Sequence, residues 1–189
     1  MAMASTPALA ESESEPESRY FVGAYAGRAA EDRLLEIVTR YNTGFIDSWL
    51  AAVAPGFVHW RGERLRTEVE GQVVRHWGEQ DHWEFNLSYA VRWMRFPWDH
   101  HVDTRVAMGL GASWANEVPF IEPRAKELGE EESTRFLGYV MLEIELAPPQ
   151  SERVSGFVRL HHRSGASGLF SDIRGGSNFI TGGLRYYFD

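Results

Sequence analysis

The chain has 189 residues, 24% of them charged, and a formal net charge of −8. Its 19 basic residues are scattered, which excludes the concentrated basic stripe that a nucleic-acid surface needs. Cysteine is absent, so disulfides, thiolate metal sites and cysteine nucleophiles are excluded, and no run of eighteen apolar residues offers a transmembrane helix. A barrel strand needs only about 9 to 11 residues with one apolar face, and the 7 Trp, 7 Tyr and 11 Phe suit a chain anchored at a lipid interface.

Residues 1–10 end in Ala8-Leu9-Ala10, the small-x-small pattern of a signal-peptidase site, and an acidic run from Glu11 to Glu17 follows. Residues 1–18 therefore read as a signal-peptide remnant with a disordered acidic lead, and residues 19–189 as one barrel domain. Two strands are expected next, at residues 20–27 and roughly 42–53. The first is placed by counting and length, and the second has Gly44, Ile46, Leu50 and Ala52 on its outer side.

From residue 65 the period-two signal is strong. Leu65, Thr67, Val69, Gly71 and Val73 alternate with Arg66, Glu68, Glu70 and Gln72. Trp83, Phe85, Leu87, Tyr89, Val91 and Trp93 then alternate with His82, Glu84, Asn86, Ser88, Ala90 and Arg92. An aromatic, aliphatic, aromatic order along one face is what a bilayer-crossing strand needs. Thr104, Val106, Met108, Leu110, Ala112 and Trp114 form the next apolar face, followed by Phe136, Val140, Leu142, Ile144 and Leu146. Val154, Gly156, Val158 and Leu160 belong to the seventh strand; Ile180, Gly182, Leu184, Tyr186 and Phe188 belong to the eighth.

Eight is an even number, so an all-β, antiparallel transmembrane barrel closes with both termini on one side. Closure matters because an open sheet edge in hydrocarbon leaves N–H and C=O groups unpaired. A soluble barrel would show its polar face to water. Here that face carries Arg and Glu of both signs with Gly and Ser between, a set suited to pairing inside a narrow lumen. The outward connections fall at about residues 28–41, 78–81, 115–133 and 165–177, and the inward ones at 54–63, 95–100 and 148–152. Long outer loops and short inner turns fit a bacterial outer membrane. The chain ends Tyr186-Tyr187-Phe188-Asp189, which resembles the carboxy-terminal outer-membrane signal with one added residue.

The chemistry is expected near the top of the seventh strand. Strand parity puts His162 and Ser164 on the lipid face, two apart, where they can serve as base and nucleophile. A neutral His base needs a partner for its other nitrogen. Asn178, with the lipid-facing parity of Ile180, is one candidate, and Asp172 in the preceding loop is the other. His161 and Arg163 have lumenal parity but lie close enough to the membrane boundary to be counted with the substrate and lipid interface. His100 and His101, beside Asp99, read as interfacial. His76 and His82 flank a turn with Glu79 and Asp81 and read as solvated. No metal or cofactor is expected.

On these residues, positions 154–188 resemble the carboxy-terminal part of the PagL-like lipid A 3-O-deacylases, also described as acyloxyacyl-hydrolase-like outer-membrane proteins. The resemblance implies an eight-stranded barrel whose catalytic His-x-Ser lies outside, near the outer leaflet, and removes a hydroxyacyl chain from lipid A. His162 and Ser164 match that pair. The family has Asn directly after the Ser, where this sequence has Gly165. Its catalytic Glu falls around residues 176–178, where no acid stands. The implied partners are lipid A, lipopolysaccharide and outer-membrane lipid; a homodimer is compatible with the sequence. A catalytically inactive lipid-binding or structural barrel is the alternative.

Overall fold

The computed structural model describes residues 18–32, 34–40, 43–119, 121–122, 134–149, 151, 153–165 and 176–189. The strands are β1 (Tyr20–Ala30), β2 (Phe45–Arg61), β3 (Leu65–Gly78), β4 (His82–Trp93), β5 (Asp103–Ala115), β6 (Phe136–Ala147), β7 (Val154–Ser164) and β8 (Gly176–Phe188). Each pairs antiparallel with the next, and β1 also pairs with β8, so the sheet closes into a barrel. A short helix, α1 (Leu34–Arg40), lies within the outward β1–β2 connection, a segment expected only as a loop.

Alternation fixes which face is which. In β4 every residue of one parity is buried and every residue of the other is exposed. The exposed set is Trp83, Phe85, Leu87, Tyr89, Val91 and Trp93. The apolar residues thus point outward on a closed barrel, the reverse of a water-soluble one, and the exterior suits hydrocarbon. Phe45, Trp49, Trp77, Trp83 and Trp114 ring the outer end, while Tyr20, Trp60, Trp93, Tyr186 and Phe188 ring the inner end. These are the two interfacial girdles of a membrane barrel.

The lumen is filled by paired charge. Arg159 Nη1 donates to Glu70 Oε1 at 2.7 Å, and its Nη2 donates to Glu143 Oε2 at 2.6 Å. Arg185 bridges Glu143 and Glu145, at 2.9 and 2.6 Å, and Arg92 holds Glu68 bidentately at 3.0 and 2.9 Å. These groups come from β3, β4, β6, β7 and β8, so the network ties opposite walls together. Eight strands leave room for side chains and little else. An apolar cluster of Tyr25, Leu50, Ala52, Ala54, Val74, Phe157 and Phe179 packs beside these charges, with the Arg159 guanidinium over the Tyr25 and Phe157 rings.

Two expectations fail in β2. Leu50 is fully buried and Ala52 faces the lumen with it, while Phe45, Trp49, Val53 and Phe57 take the outside. The expected outward set was one residue out of phase, because small and aliphatic residues occupy both faces there. The inward connection expected at 54–63 is also shorter, since β2 runs on to Arg61. Its ladder to β3 pairs Val53 with Val73 and Gly56 with Glu70, passing over Ala54 and Pro55. Proline has no N–H to contribute, and the strand tolerates it by skipping that rung.

Three of the four outward connections are longer than every inward one. The exception is the β3–β4 turn after Gly78, whose φ of 102° lies in the region that favours glycine. A Cβ at Gly78 would also stand 2.2 Å from the Asp47 carbonyl oxygen. The expected signal remnant and acidic lead lie, but for Ser18, outside the described residues.

Candidate active site

Outward residues of β7 run Val154, Gly156, Val158, Leu160, His162, Ser164, so the apolar band gives way to two polar side chains at the outer rim. Register sets their neighbours. His162 lies opposite Val140 of β6 and Asn178 of β8, while Ser164 lies opposite Gly138 and Gly176. Both residues directly across the ladder from Ser164 are thus glycine. At Gly176 a Cβ would meet the Arg163 carbonyl oxygen at 2.2 Å and the Ser164 Cβ at 3.2 Å, so the close approach there requires glycine.

Asn178 is held at both ends of its amide. Its Nδ2 donates to the Asp32 carbonyl oxygen at 2.9 Å, and its Oδ1 lies 2.7 Å from His162 Nδ1. A carbonyl can only accept, which fixes the amide with its NH2 toward Asp32 and its oxygen toward the ring. That oxygen in turn can only accept, so the proton of the neutral imidazole sits on Nδ1. Nε2 is left with its lone pair, the state a general base requires. The Ser177 backbone is a further partner of the ring. Along the strand, His162 and Ser164 are separated by one pleat, about 6.6 Å between their Cα atoms.

The other candidates fall elsewhere. His161 and Arg163 are fully buried in the lumen, which removes both from a lipid interface. His161 Nε2 meets Glu84 Oε1 at 2.9 Å, and its Nδ1 meets the Tyr25 and Tyr139 hydroxyls at 3.3 and 3.4 Å. Arg163 Nη1 donates to Glu122 Oε1 at 2.8 Å and Nη2 donates to the Arg135 carbonyl at 3.1 Å. Parity decides both cases: odd residues of β7 point inward however close they stand to the rim. Asp172 lies outside the described residues. Asp99 is committed to the inner turn, accepting from the Phe96 N–H at 2.7 Å and the Thr104 N–H at 3.2 Å.

Two contributors were not visible in the sequence. Asp32 acts through its backbone oxygen, for which no residue pattern exists. Glu122 comes from the long β5–β6 connection and enters the lumen to hold Arg163 and Ser177.

No family model and no curated protein sequence matches the chain. Among solved structures, the outer membrane enzyme PagL matches with a TM-score of 0.54 at 11% identity, over 89% of this chain and 99% of that one. Neisserial surface protein A matches with a TM-score of 0.53 at 13% identity, over 89% and 97%. At such identities the likeness is one of fold. The chain has the outer-membrane barrel architecture. With its apolar exterior and two aromatic girdles, that architecture places it in a bacterial outer membrane.

Proposed function

We propose that this barrel is an outer-membrane esterase that removes an ester-linked hydroxyacyl chain from lipid A, with Ser164 as nucleophile, His162 as base and Asn178 as the residue that positions His162. The observation that carries the reading is the Asp32–Asn178–His162 chain of hydrogen bonds on the lipid-facing surface. It commits Nδ1 and frees Nε2 on the side of the barrel where acyl chains lie.

In this scheme Ser164 Oγ attacks the acyl carbonyl carbon while its proton passes to His162 Nε2. The imidazolium then protonates the departing sugar alcohol, leaving an acyl-serine. Water, deprotonated by the same nitrogen, releases the fatty acid and restores Ser164. Asn178 fixes the tautomer but brings no negative charge to the imidazolium. Replacing a carboxylate by an amide at this position of a Ser-His-Asp protease costs about 10⁴-fold in turnover, so a slow enzyme is expected. The absence of a carboxylate contact to His162 among the described residues favours a second reading, a lipid-binding or structural barrel without turnover.

Incubation of the detergent-purified barrel with lipid A, followed by mass spectrometry, separates the two. Loss of one hydroxyacyl chain, abolished by Ser164→Ala, is the expected result. Equal activity in Ser164→Ala would overturn the assigned nucleophile. No turnover by the unaltered chain across detergents and divalent cations would support the binding role.

A further inference from the structure

The β3–β4 hairpin carries a second constellation, on the opposite side of the barrel wall from His162. His76 and His82 are directly opposed in the ladder, and Glu84 follows His82 on the same inward face. All three are buried, and one ligand atom from each lies within 4.8 Å of the others. The sequence reading, which left these histidines solvated at a turn, is corrected by their burial.

Hydrogen bonding leaves this cluster incomplete. His76 is used at both nitrogens, Nε2 with Glu84 Oε2 at 2.9 Å and Nδ1 with Gln80 Nε2 at 3.1 Å. His82 Nε2 and Gln80 Oε1, by contrast, are buried with no hydrogen-bond partner among the described residues. A buried polar atom without a partner costs about 1 to 3 kcal/mol, and a purely apolar contact with His76 would not require a histidine at position 82. The rings of His76 and His82 stack with centroids 4.2 Å apart.

We propose that His76, His82 and Glu84 bind a divalent cation of the zinc class at the outer mouth of the lumen. Two imidazoles and a carboxylate are the donor set that zinc and its borderline neighbours take, whereas magnesium and calcium prefer all-oxygen shells. Neighbouring cations are already matched, Arg163 by Glu122 and Arg75 by Asp81. Stacked rings direct their nitrogens side by side, so binding requires them to splay. His82 is placed to turn, since it begins β4 beside the hairpin turn and its Nε2 has no bond to lose. Glu84 Oε1 keeps its bond to His161 while Oε2 exchanges the His76 Nε2–H for the metal; the imidazole proton then sits on Nδ1, where Gln80 turns its Oε1 to accept it.

The test uses the untagged full chain, refolded in detergent, stripped with chelator and titrated with ZnCl₂ by calorimetry, with Tm read by circular dichroism. One zinc per chain and a zinc-dependent rise in Tm are expected. His82→Phe keeps a ring stacked on His76 but removes both nitrogens. It should weaken zinc binding at least about 100-fold, the upper end of what losing an outer-shell partner costs, while the metal-free Tm stays equal or rises. His100→Ala with His101→Ala should leave the titration unchanged. Absence of saturable binding in the unaltered chain, or a zinc response that persists in His82→Phe, would overturn the site. X-ray absorption at the zinc edge of the unaltered chain supplies a check that needs no variant: two imidazoles are expected in the shell, and none would refute the assignment.

Discussion

His161 and His162 are neighbours in the chain, yet the two faces of β7 give them different work. On the lumenal face, His161 has both nitrogens engaged, by Glu84 and by two tyrosine hydroxyls, with no exposure. On the lipid face, His162 has Nδ1 committed to Asn178 and lies half-buried beside a serine with glycines on both flanks. The same contrast separates Arg159, locked between Glu70 and Glu143, from the outward Val158 next to it. Residue type alone therefore does not distinguish a structural imidazole from one available for proton transfer. The distinction comes from how many of its nitrogens the fold has already used.

If the lumenal face is a load of mutually satisfied charges, breaking it should produce the largest effect on stability. Arg159→Ala removes the guanidinium from Glu70 and Glu143 and leaves both carboxylates buried. Removing one partner of a buried pair costs about 3 to 5 kcal/mol. Urea unfolding of the barrel in lipid vesicles measures this, with Ser164→Ala on the other face changing stability by less than about 0.5 kcal/mol. Near-equal midpoints for the two variants would show that the lumenal pairs contribute little to stability and dissolve the contrast.

The lipid face should respond to depth. Val158 stands at the middle of β7 with 59% of its surface exposed, opposite Ile144 and Gly182. An arginine there belongs near the bilayer midplane and should cost about 2 to 4 kcal/mol, falling to about 0 to 1 at the interface. Val154→Arg, at the inner end of the same face, supplies the interfacial comparison. The difference between the two, read from the same unfolding transitions, locates the membrane along β7.

Much of this contrast was legible from alternation. From β3 to β8 the acidic and arginine side chains keep the inward parity, Arg75 excepted, and the exposed large apolar residues keep the outward one, so the outward parity of His162, Ser164 and Asn178 follows. β2 was misphased because Leu50, Ala52 and Ala54 are apolar inside while Ala51 and Val53 are apolar outside, so a period of two has nothing to distinguish. Pro55 and Gly56 carry a turn signature that ladder pairing overrides, Pro55 to β1 alone and Gly56 to both neighbouring strands. The Asp32 carbonyl and Glu122 reach their partners from loops, through contacts that no local pattern encodes. Parity also placed Glu84 and His82 on one face, but only the register that opposes His82 to His76 brings the three ligands together.

The remaining change, with a smaller expected cost than Arg159→Ala or Val158→Arg, bears most directly on the site. Asn178→Asp puts a carboxylate where the amide stood, next to the His162 Nδ1–H, and so supplies the charge that would support an imidazolium. It also replaces the NH2 that donates to Asp32, setting a carboxylate oxygen against a carbonyl across a contact of 2.9 Å. Losing that hydrogen bond should cost about 1 to 3 kcal/mol of stability. Turnover should nevertheless rise about tenfold or more, within the factor of about 10⁴ that separates a carboxylate from an amide in a serine triad. Deacylation kinetics and the urea midpoint, measured on one preparation, separate the two terms. A fall in turnover that follows the fall in stability would mean that anchoring to Asp32 matters more than charge, and that the amide is the group this surface is built around.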